Sequence, residues 1–454
     1  MKIQPLINFE GNITSSPSKS YSHRAFFFAL MAKTPSYIIN PLISGDLEVT
    51  INFCKSLGAK IEKIEKSRVK DEKIIADISD TDSIYEIVPP LSLKTPIEFL
   101  EGKNSGTSIR MLTALTPLIS GHITMSGRFF NLKRPLKPLL EALSPLDISW
   151  EDLDKNFGIK IDTRYSNATE FKIQGNISSQ FISGLLLLAP NLKSTPSYPN
   201  SIINLTTPTI STPYLKITED IMDKFGISFQ LDSNSENLMR YTIPADQKYK
   251  GKKIKIPGDY SSAAFIIAAA ALNPFPNEVK ISKLDSKSKQ GDKMLIKILQ
   301  KMNANIEVDE KSKIVVIKGG KFLDGVKIDC KEIPDLFPIL CVIGLFANNN
   351  TILYNLNHVR TKESDRVSIM IRELQKMGAI IELIEDNNAI VIEGPQQIQG
   401  IRINHEDDHR IAMALTIAAL YARSETTIVN PKIANDSYPD FFKDLKYLGA
   451  EISD

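Results

Sequence analysis

The chain is poor in the side chains that most often hold metals or covalent links. It has three cysteines, five histidines and one tryptophan in 454 residues. Cys54, Cys330 and Cys341 are odd in number and show neither CxxC nor metal-ligand spacing. A disulfide framework is therefore excluded, and the cysteines fit a reducing compartment. Long apolar runs are missing too. Leu185 to Ala189 and Ala263 to Leu272 fall well short of the roughly 18 residues that a membrane span needs. The opening Met1-Lys2-Ile3-Gln4-Pro5 lacks the apolar core of a signal peptide, so a cytoplasmic location is expected. Charge of one sign is also lacking. With 55 basic and 53 acidic residues the formal net charge is +2, and no global field selects nucleic acid or an anionic membrane. The rest is ordinary for a globular protein, 42% hydrophobic and 24% charged, with length for two or more domains.

What the chain does have is repetition. A phrase of the form Leu-x-x-Leu-Gly-Ala-x-Ile occurs as Phe53 to Ile61, Leu374 to Ile381 and Leu445 to Ile452. Looser copies run from Met222 to Ile227 and from Ile298 to Ile306, and the most degraded from Leu140 to Ile148. Each predicts an amphipathic helix stopped by a left-handed Gly or Asn and followed by a strand. Copies stand roughly 70 to 90 residues apart, too far for a solenoid, so each belongs to an α/β module of its own.

A second kind of helix, apolar nearly all round and so buried, recurs at similar spacing. Its starts are Ser18-Lys19-Ser20, Asn104-Ser105-Gly106-Thr107, Ser178-Ser179-Gln180, Asp259-Tyr260-Ser261-Ser262, Pro334-Asp335 and Asp407-Asp408-His409-Arg410. All six are expected to open with capping residues, and several add Lys, Arg or Gln. Helix starts offer free N–H groups, and Lys19 with Arg24 one turn beyond Ser20 outlines an anion site. Short Ile/Val runs such as Ile314 to Ile317 predict strands between the helices. The expected architecture is six βαβαββ-like modules, three per domain, with residues 17–256 forming one domain and residues 1–16 and 257–454 the other.

At this level the chain resembles the 5-enolpyruvylshikimate-3-phosphate synthase family over essentially its whole length. The motifs are Pro17-Ser18-Lys19-Ser20 with Arg24, Asn104 to Arg110, Lys133-Arg134-Pro135, Ser178-Ser179-Gln180, Gly258-Asp259, Gln290-Gly291-Asp292, Ile333-Pro334-Asp335, Lys362 to Arg366 and Asp408-His409-Arg410. One such motif is weak; nine in order within a sixfold repeat are specific. The resemblance implies a two-domain α/β fold of the enolpyruvyl-transferase type. Each domain is an inside-out α/β barrel of three βαβαββ units, with the active site in the interdomain cleft. It implies transfer of the enolpyruvyl group of phosphoenolpyruvate to the 5-hydroxyl of shikimate 3-phosphate, without metal or organic cofactor. Small-molecule substrates, no nucleic acid, no membrane and a monomer are expected.

The same resemblance assigns residues. Asp335 is implied as the base at the hydroxyl, Glu363 as the acid at carbon, and Lys19 as the cation for developing charge. Shikimate 3-phosphate is assigned to Lys19, Ser20, Arg24, Ser178, Ser179, Gln180, Ser211, Asp335, His358 and Lys362. Phosphoenolpyruvate, with its carboxylate and phosphate, is assigned to Lys19, Gly106, Arg134, Gln180, Arg366 and Arg410. Gly106 is expected to let the backbone approach the ligand.

Three positions depart from the family pattern. Asp436 stands where a lysine usually precedes the aromatic-Pro step, here Tyr438-Pro439. Lys103 replaces a glycine before Asn104, and Phe129-Phe130-Asn131 is unusually apolar for the loop leading to Arg134. The change of sign at Asp436 motivates one alternative, a relative that binds a sugar phosphate without turnover. A second is an enolpyruvyl transferase acting on UDP-N-acetylglucosamine. It is disfavoured by Ser20 after Lys19 and by the absence of cysteine between Cys54 and Cys330.

Overall fold

The repeated phrase does locally what its residues dictate. In a computed structural model that describes all residues except 70–78, 80, 81, 154–156, 165, 167, 234–237, 385–387 and 454, every copy ends on a left-handed residue. These are Gly58, Gly226, Gly378 and Gly449, with φ of 103°, 78°, 95° and 112°. Asn303 (76°) and Asp147 (56°) take the same place in the two divergent copies. Asn and Asp are the side chains that tolerate this region best, so the degraded copies keep the stop at a modest cost.

The chain around each stop builds the same kind of four-stranded sheet. Among the described residues there are six such sheets, each with one parallel pair continued by two antiparallel neighbours. In one, Glu170–Ile173 pairs in parallel with Asn200–Leu205, which is followed by Met239–Pro244 and Gln230–Ser233. Three sheets are completed from far away in sequence. Lys253–Lys255 pairs in parallel with Ser36–Ile39. At the N-terminus, Lys2–Ile3 pairs with Thr426–Ile428 and Ile452–Ser453, and Gly11–Thr14 with Glu278–Ser282.

The contacts divide the chain into two units, Lys19–Ile256 and Met1–Ser18 with Pro257–Asp454. Each holds three buried helices. In the first unit these are Lys19–Leu30, Gly106–Leu115 and Ser179–Leu188; in the second, Tyr260–Leu272, Phe337–Phe346 and His409–Leu420. Phe26, Phe27 and Phe28 point to different sides of one helix and are all fully buried, which explains why no amphipathic stripe marks it. At about 1.5–3 kcal/mol per buried large side chain, the three together contribute about 4.5–9 kcal/mol to the unit's core.

Three of the six starts are capped as the residue types predict. Ser178 accepts from the Gln180 N–H, Asp259 from those of Ser261 and Ser262, and Asp408 from those of Arg410 and Ile411. Two starts correct the expectation of a capping side chain. Ser105 stands at the cap position of Gly106–Leu115, but its hydroxyl pairs with the Ser108 hydroxyl at 2.7 Å instead. Asp335 lies inside a 3-10 turn, Pro334–Leu336, and its carboxylate turns to two arginines. A charge-assisted pair is worth more than a cap to neutral N–H groups, and the arginines win.

Candidate active site

In the first unit the helix starts are stitched together by polar side chains. Lys19 Nζ stands 2.5 Å from Asp46 Oδ2, both side chains being about one-seventh exposed at 15% and 14%. Behind them the buried His23 Nδ1 contacts Thr50 Oγ1 at 2.7 Å, and Thr50 contacts Ser108 at 2.7 Å. Burial first, then the charges of Lys19 and Arg24, hold His23 well below the usual histidine range, so it stays neutral. Gln180 joins two further starts. Its Nε2 donates to Thr107 Oγ1 at 3.0 Å, and its Oε1 accepts from Arg110 Nη1 at 2.7 Å.

Arg24 is 2% exposed and its guanidinium donates to Ser20 O, Thr218 Oγ1, Ser183 Oγ and Tyr214 O. Ser20, Ser178 and Ser179 lie at the helix starts that the sequence marks, and the Ser178 hydroxyl is occupied as a cap. Ser211 has a left-handed backbone (φ 55°) just before helix Thr212–Lys224, and its buried hydroxyl has no hydrogen-bond partner among the described residues.

Gly106 has a use that the residue pattern did not suggest. A Cβ there would stand 2.8 Å from Arg134 Nη2 and 3.0 Å from its Cζ. The missing side chain therefore admits the Arg134 guanidinium to the helix start, where Nη1 donates to Asn104 O at 2.7 Å and Asn104 Oδ1 at 3.1 Å. The apolar loop has a use as well. Phe129 is fully buried, and the guanidinium carbons of Arg110 and Arg134 lie 5.1 and 5.2 Å from its ring centre. One aromatic ring thus supports two cations. Lys103 has φ 49°, a conformation natural for the glycine that the resemblance expects there.

In the second unit the charged groups concentrate on one arginine. The Arg366 side chain is 1% exposed and meets three carboxylates: Asp335 Oδ1 at 2.7 Å, Glu363 Oε2 at 2.6 Å and Asp408 Oδ2 at 2.8 Å. Arg410 Nη2 adds a second contact to Asp335, at 3.1 Å to Oδ2. Burial opposes ionisation of Asp335, but Arg410, Arg366 and Lys362 together hold its carboxyl well below the usual carboxylate range. Asp335 and Glu363 remain 17% and 20% exposed while Arg366 is sealed, so the carboxylates, not the arginine, present the reachable surface. His358 is pushed down to about 4 by burial and by the Lys362 charge, and its Nε2 has no hydrogen-bond partner among the described residues.

Asp436 closes the 3-10 turn Pro431–Asp436, and the next carbonyl, of Ser437, accepts from Ser262 Oγ at 3.1 Å. The turn therefore packs at the same helix start that Asp259 caps. Lys432, in the same turn, is exposed. Asp46, Asp408 and Phe129 are the partners that residue-type reasoning missed as site members. Asp408 stood in a marked motif as a helix cap, and Phe129 in the apolar loop that departs from the family pattern; Asp46 carries no local signal.

Comparison with known proteins places the chain in one family. The family described as EPSP synthase (3-phosphoshikimate 1-carboxyvinyltransferase) matches residues 3–445. The chain belongs to the EPSP synthase family. It is 39% identical over 446 residues to the 3-phosphoshikimate 1-carboxyvinyltransferase of Methanocaldococcus jannaschii, covering 98% of this chain and 96% of that protein. The enzyme of the same name from Methanococcus vannielii is 37% identical over 447 residues, 98% of this chain and 97% of that one. Among solved structures, EPSP synthase from Acinetobacter baumannii superposes with a TM-score of 0.75 at 24% identity, all of both chains being covered. The enolpyruvyl transferase NikO from Streptomyces tendae does so at 0.74 and 15%, covering 100% of this chain and 98% of that one. The fold is thus shared with solved structures at 24% and 15% identity.

Proposed function

We propose that the chain is a 3-phosphoshikimate 1-carboxyvinyltransferase. It transfers the enolpyruvyl group of phosphoenolpyruvate to the 5-hydroxyl of shikimate 3-phosphate and releases inorganic phosphate. The observation that carries the reading is the Arg366 cluster, in a chain that matches the family almost end to end. The addition needs a proton removed from the hydroxyl oxygen as that oxygen bonds to the central enol carbon, and a proton delivered to the methylene carbon. The elimination takes a proton from the resulting methyl group as the carbon–phosphate oxygen bond breaks. Two carboxylates fixed on one guanidinium, in unequal environments, suit this division of labour. Asp335 is the base at the hydroxyl and Glu363 the acid at carbon.

Asp335 shares Arg366 and Arg410, which keeps it ionised and ready but lowers its appetite for a proton. An anion that takes up part of the Arg410 charge raises that appetite when substrate arrives. We assign phosphoenolpyruvate to Arg410, Arg366, Arg134, Lys19, Gln180 and the Gly106 start. Shikimate 3-phosphate is assigned to Ser178, Ser179, Ser211, Lys362 and His358 at its phosphate and to Ser20, Arg24, Gln180 and Asp335 at its ring. Lys19 serves both substrates. Among the described residues no helix is long and apolar enough to cross a membrane, and a cytoplasmic monomer is the working expectation.

The test is phosphate release with each substrate omitted in turn. Release that requires both shikimate 3-phosphate and phosphoenolpyruvate supports the reading. Release with UDP-N-acetylglucosamine as the acceptor in place of shikimate 3-phosphate overturns it.

A further inference from the structure

Glu373 is a buried carboxylate that the reaction above does not use. It lies on helix Arg366–Lys376, seven residues after Arg366, and both side chains are buried. Seven residues make nearly two full turns, so the two share one helix face about 10 Å apart. Each takes hold of the same segment, the loop that leads into helix His409–Leu420. Arg366 Nε donates to Asp408 Oδ2 at 2.8 Å, and Glu373 Oε2 accepts from the Asn404 N–H at 3.0 Å. Glu373 Oε1 accepts from Arg372 Nε at 2.9 Å and from Lys376 Nζ at 2.7 Å, and Arg372 Nη1 reaches on to Glu406 Oε1 at 2.7 Å.

The segment between the two grips needs holding. Glu406 and Asp407 are both left-handed, with φ of 49° and 57°, and neither is a glycine. Residues with side chains persist in this region where their surroundings fix them there. Within the loop, Asn404 Oδ1 accepts from the Glu406 N–H at 3.2 Å, His405 Nδ1 from the Asp407 N–H at 3.1 Å, and His405 O from the Asp408 N–H at 3.0 Å. The loop ends on Asp408, whose Oδ1 caps the helix that carries Arg410 and whose Oδ2 takes Arg366 Nε. With Nε so fixed, the two Nη groups of Arg366 face Asp335 and Glu363. Replacing a buried ion pair by a well-packed apolar side chain is often neutral or stabilising, so stability alone does not account for a sealed carboxylate at 373.

We propose that Glu373 is a positioning residue. By clasping the Asn404 N–H it keeps the left-handed loop in the register at which Asp408 turns the Arg366 guanidinium toward Asp335 and Glu363. The proposal rests on the assignment of those two carboxylates as base and acid. The half-exposed Arg372 and Lys376 neutralise Glu373 from the solvent side, which leaves its second oxygen to the backbone. Without the clasp the loop relaxes, Asp408 shifts, and the two proton-transfer groups lose their common anchor. Ser178, Ser179 and Ser211, assigned to shikimate 3-phosphate, belong to the other unit of the chain and keep their places.

Steady-state phosphate release by the full-length protein, at a temperature well below its unfolding midpoint, separates kcat from KM. Glu373→Ala is expected to lower kcat about tenfold and to leave the KM for shikimate 3-phosphate within about threefold. Glu373→Gln keeps an oxygen for the Asn404 N–H but loses the ion pairs. It is expected to keep kcat within about threefold of the unmodified protein while unfolding at lower urea, whereas a merely structural role would make turnover follow stability. A Glu373→Ala kcat within twofold of the unmodified protein, or a Glu373→Gln enzyme as slow as Glu373→Ala, overturns the proposal alone. Should Glu373→Ala not fold, Arg372→Ala breaks the link to Glu406 from the exposed side and is expected to lower kcat about threefold; an unchanged kcat there overturns the proposal. Failure of the unmodified protein to release phosphate with both substrates present overturns the functional reading and this proposal with it.

Discussion

Replacing Asp335 by Asn removes one negative charge from between two arginines while keeping nearly the same shape. The carboxylate accepts from Arg366 at 2.7 Å and from Arg410 at 3.1 Å, one on each oxygen. An amide offers one oxygen, and its NH2 faces whichever guanidinium is left. Arg366 keeps Glu363 and Asp408, so the larger loss falls on Arg410. One charge-assisted hydrogen bond lost and one weakened amount to about 2–4 kcal/mol of folding stability. Linkage points the same way. The Asp335 carboxyl is depressed in the fold, so it stabilises above the ordinary carboxylate range and loses that contribution only as pH falls through its lowered value. The stability gap between the unmodified protein and Asp335→Asn should therefore hold from pH 9 to 6 in urea titrations. The same substitution removes the base, which is worth about 10²–10⁴ in turnover. Shikimate 3-phosphate binding, measured by calorimetry, should change far less than kcat, measured by phosphate release. A kcat within threefold of the unmodified protein would refute the assignment of Asp335, and an unchanged urea midpoint would refute the account of the arginine pair.

Three further substitutions probe the departures from the family pattern. Asp436→Lys restores a cation beside the start of helix Tyr260–Leu272 and should lower the KM for phosphoenolpyruvate by about tenfold; a rise would mean that this corner is built differently. Phe129→Leu keeps an apolar side chain of somewhat smaller volume but removes the ring beside Arg110 and Arg134, and should cost about 1–2 kcal/mol in urea unfolding together with a raised phosphoenolpyruvate KM. An unchanged KM would separate the aromatic support from the site. Lys103→Gly relieves a left-handed lysine and should stabilise by about 0.5–1 kcal/mol, the strain released less the added freedom of the unfolded chain; a loss of stability in thermal unfolding would contradict this.

The modules were legible in the sequence because their signals are local. A left-handed stop needs Gly, Asn or Asp, and those residues stand at all six stops from Gly58 to Gly449. The buried helix starts were legible for the same reason, since Ser178, Asp259 and Asp408 cap through N–H groups two or three residues on. The site was legible as a set of residue types but not as a set of partners. Nothing near Arg366 in the chain announces that Asp335 and Asp408 close on it from 31 and 42 residues away. Asp335 read as a cap because an Asp after Pro usually is one, and only the position of Arg410 shows why it is not. The apolar Phe129 looked like a departure until two guanidinium groups were seen on it. Gly106 was expected to make room for a ligand, and the room it makes is filled by Arg134.

The account stands most directly on one reaction followed to completion. Phosphorus NMR of the unmodified protein with equimolar shikimate 3-phosphate and phosphoenolpyruvate should show the enol phosphate lost and inorganic phosphate gained one for one, while the sugar phosphomonoester persists in a new product. Loss of the sugar phosphomonoester signal, or no phosphate release while both substrates are bound, would contradict enolpyruvyl transfer by this chain.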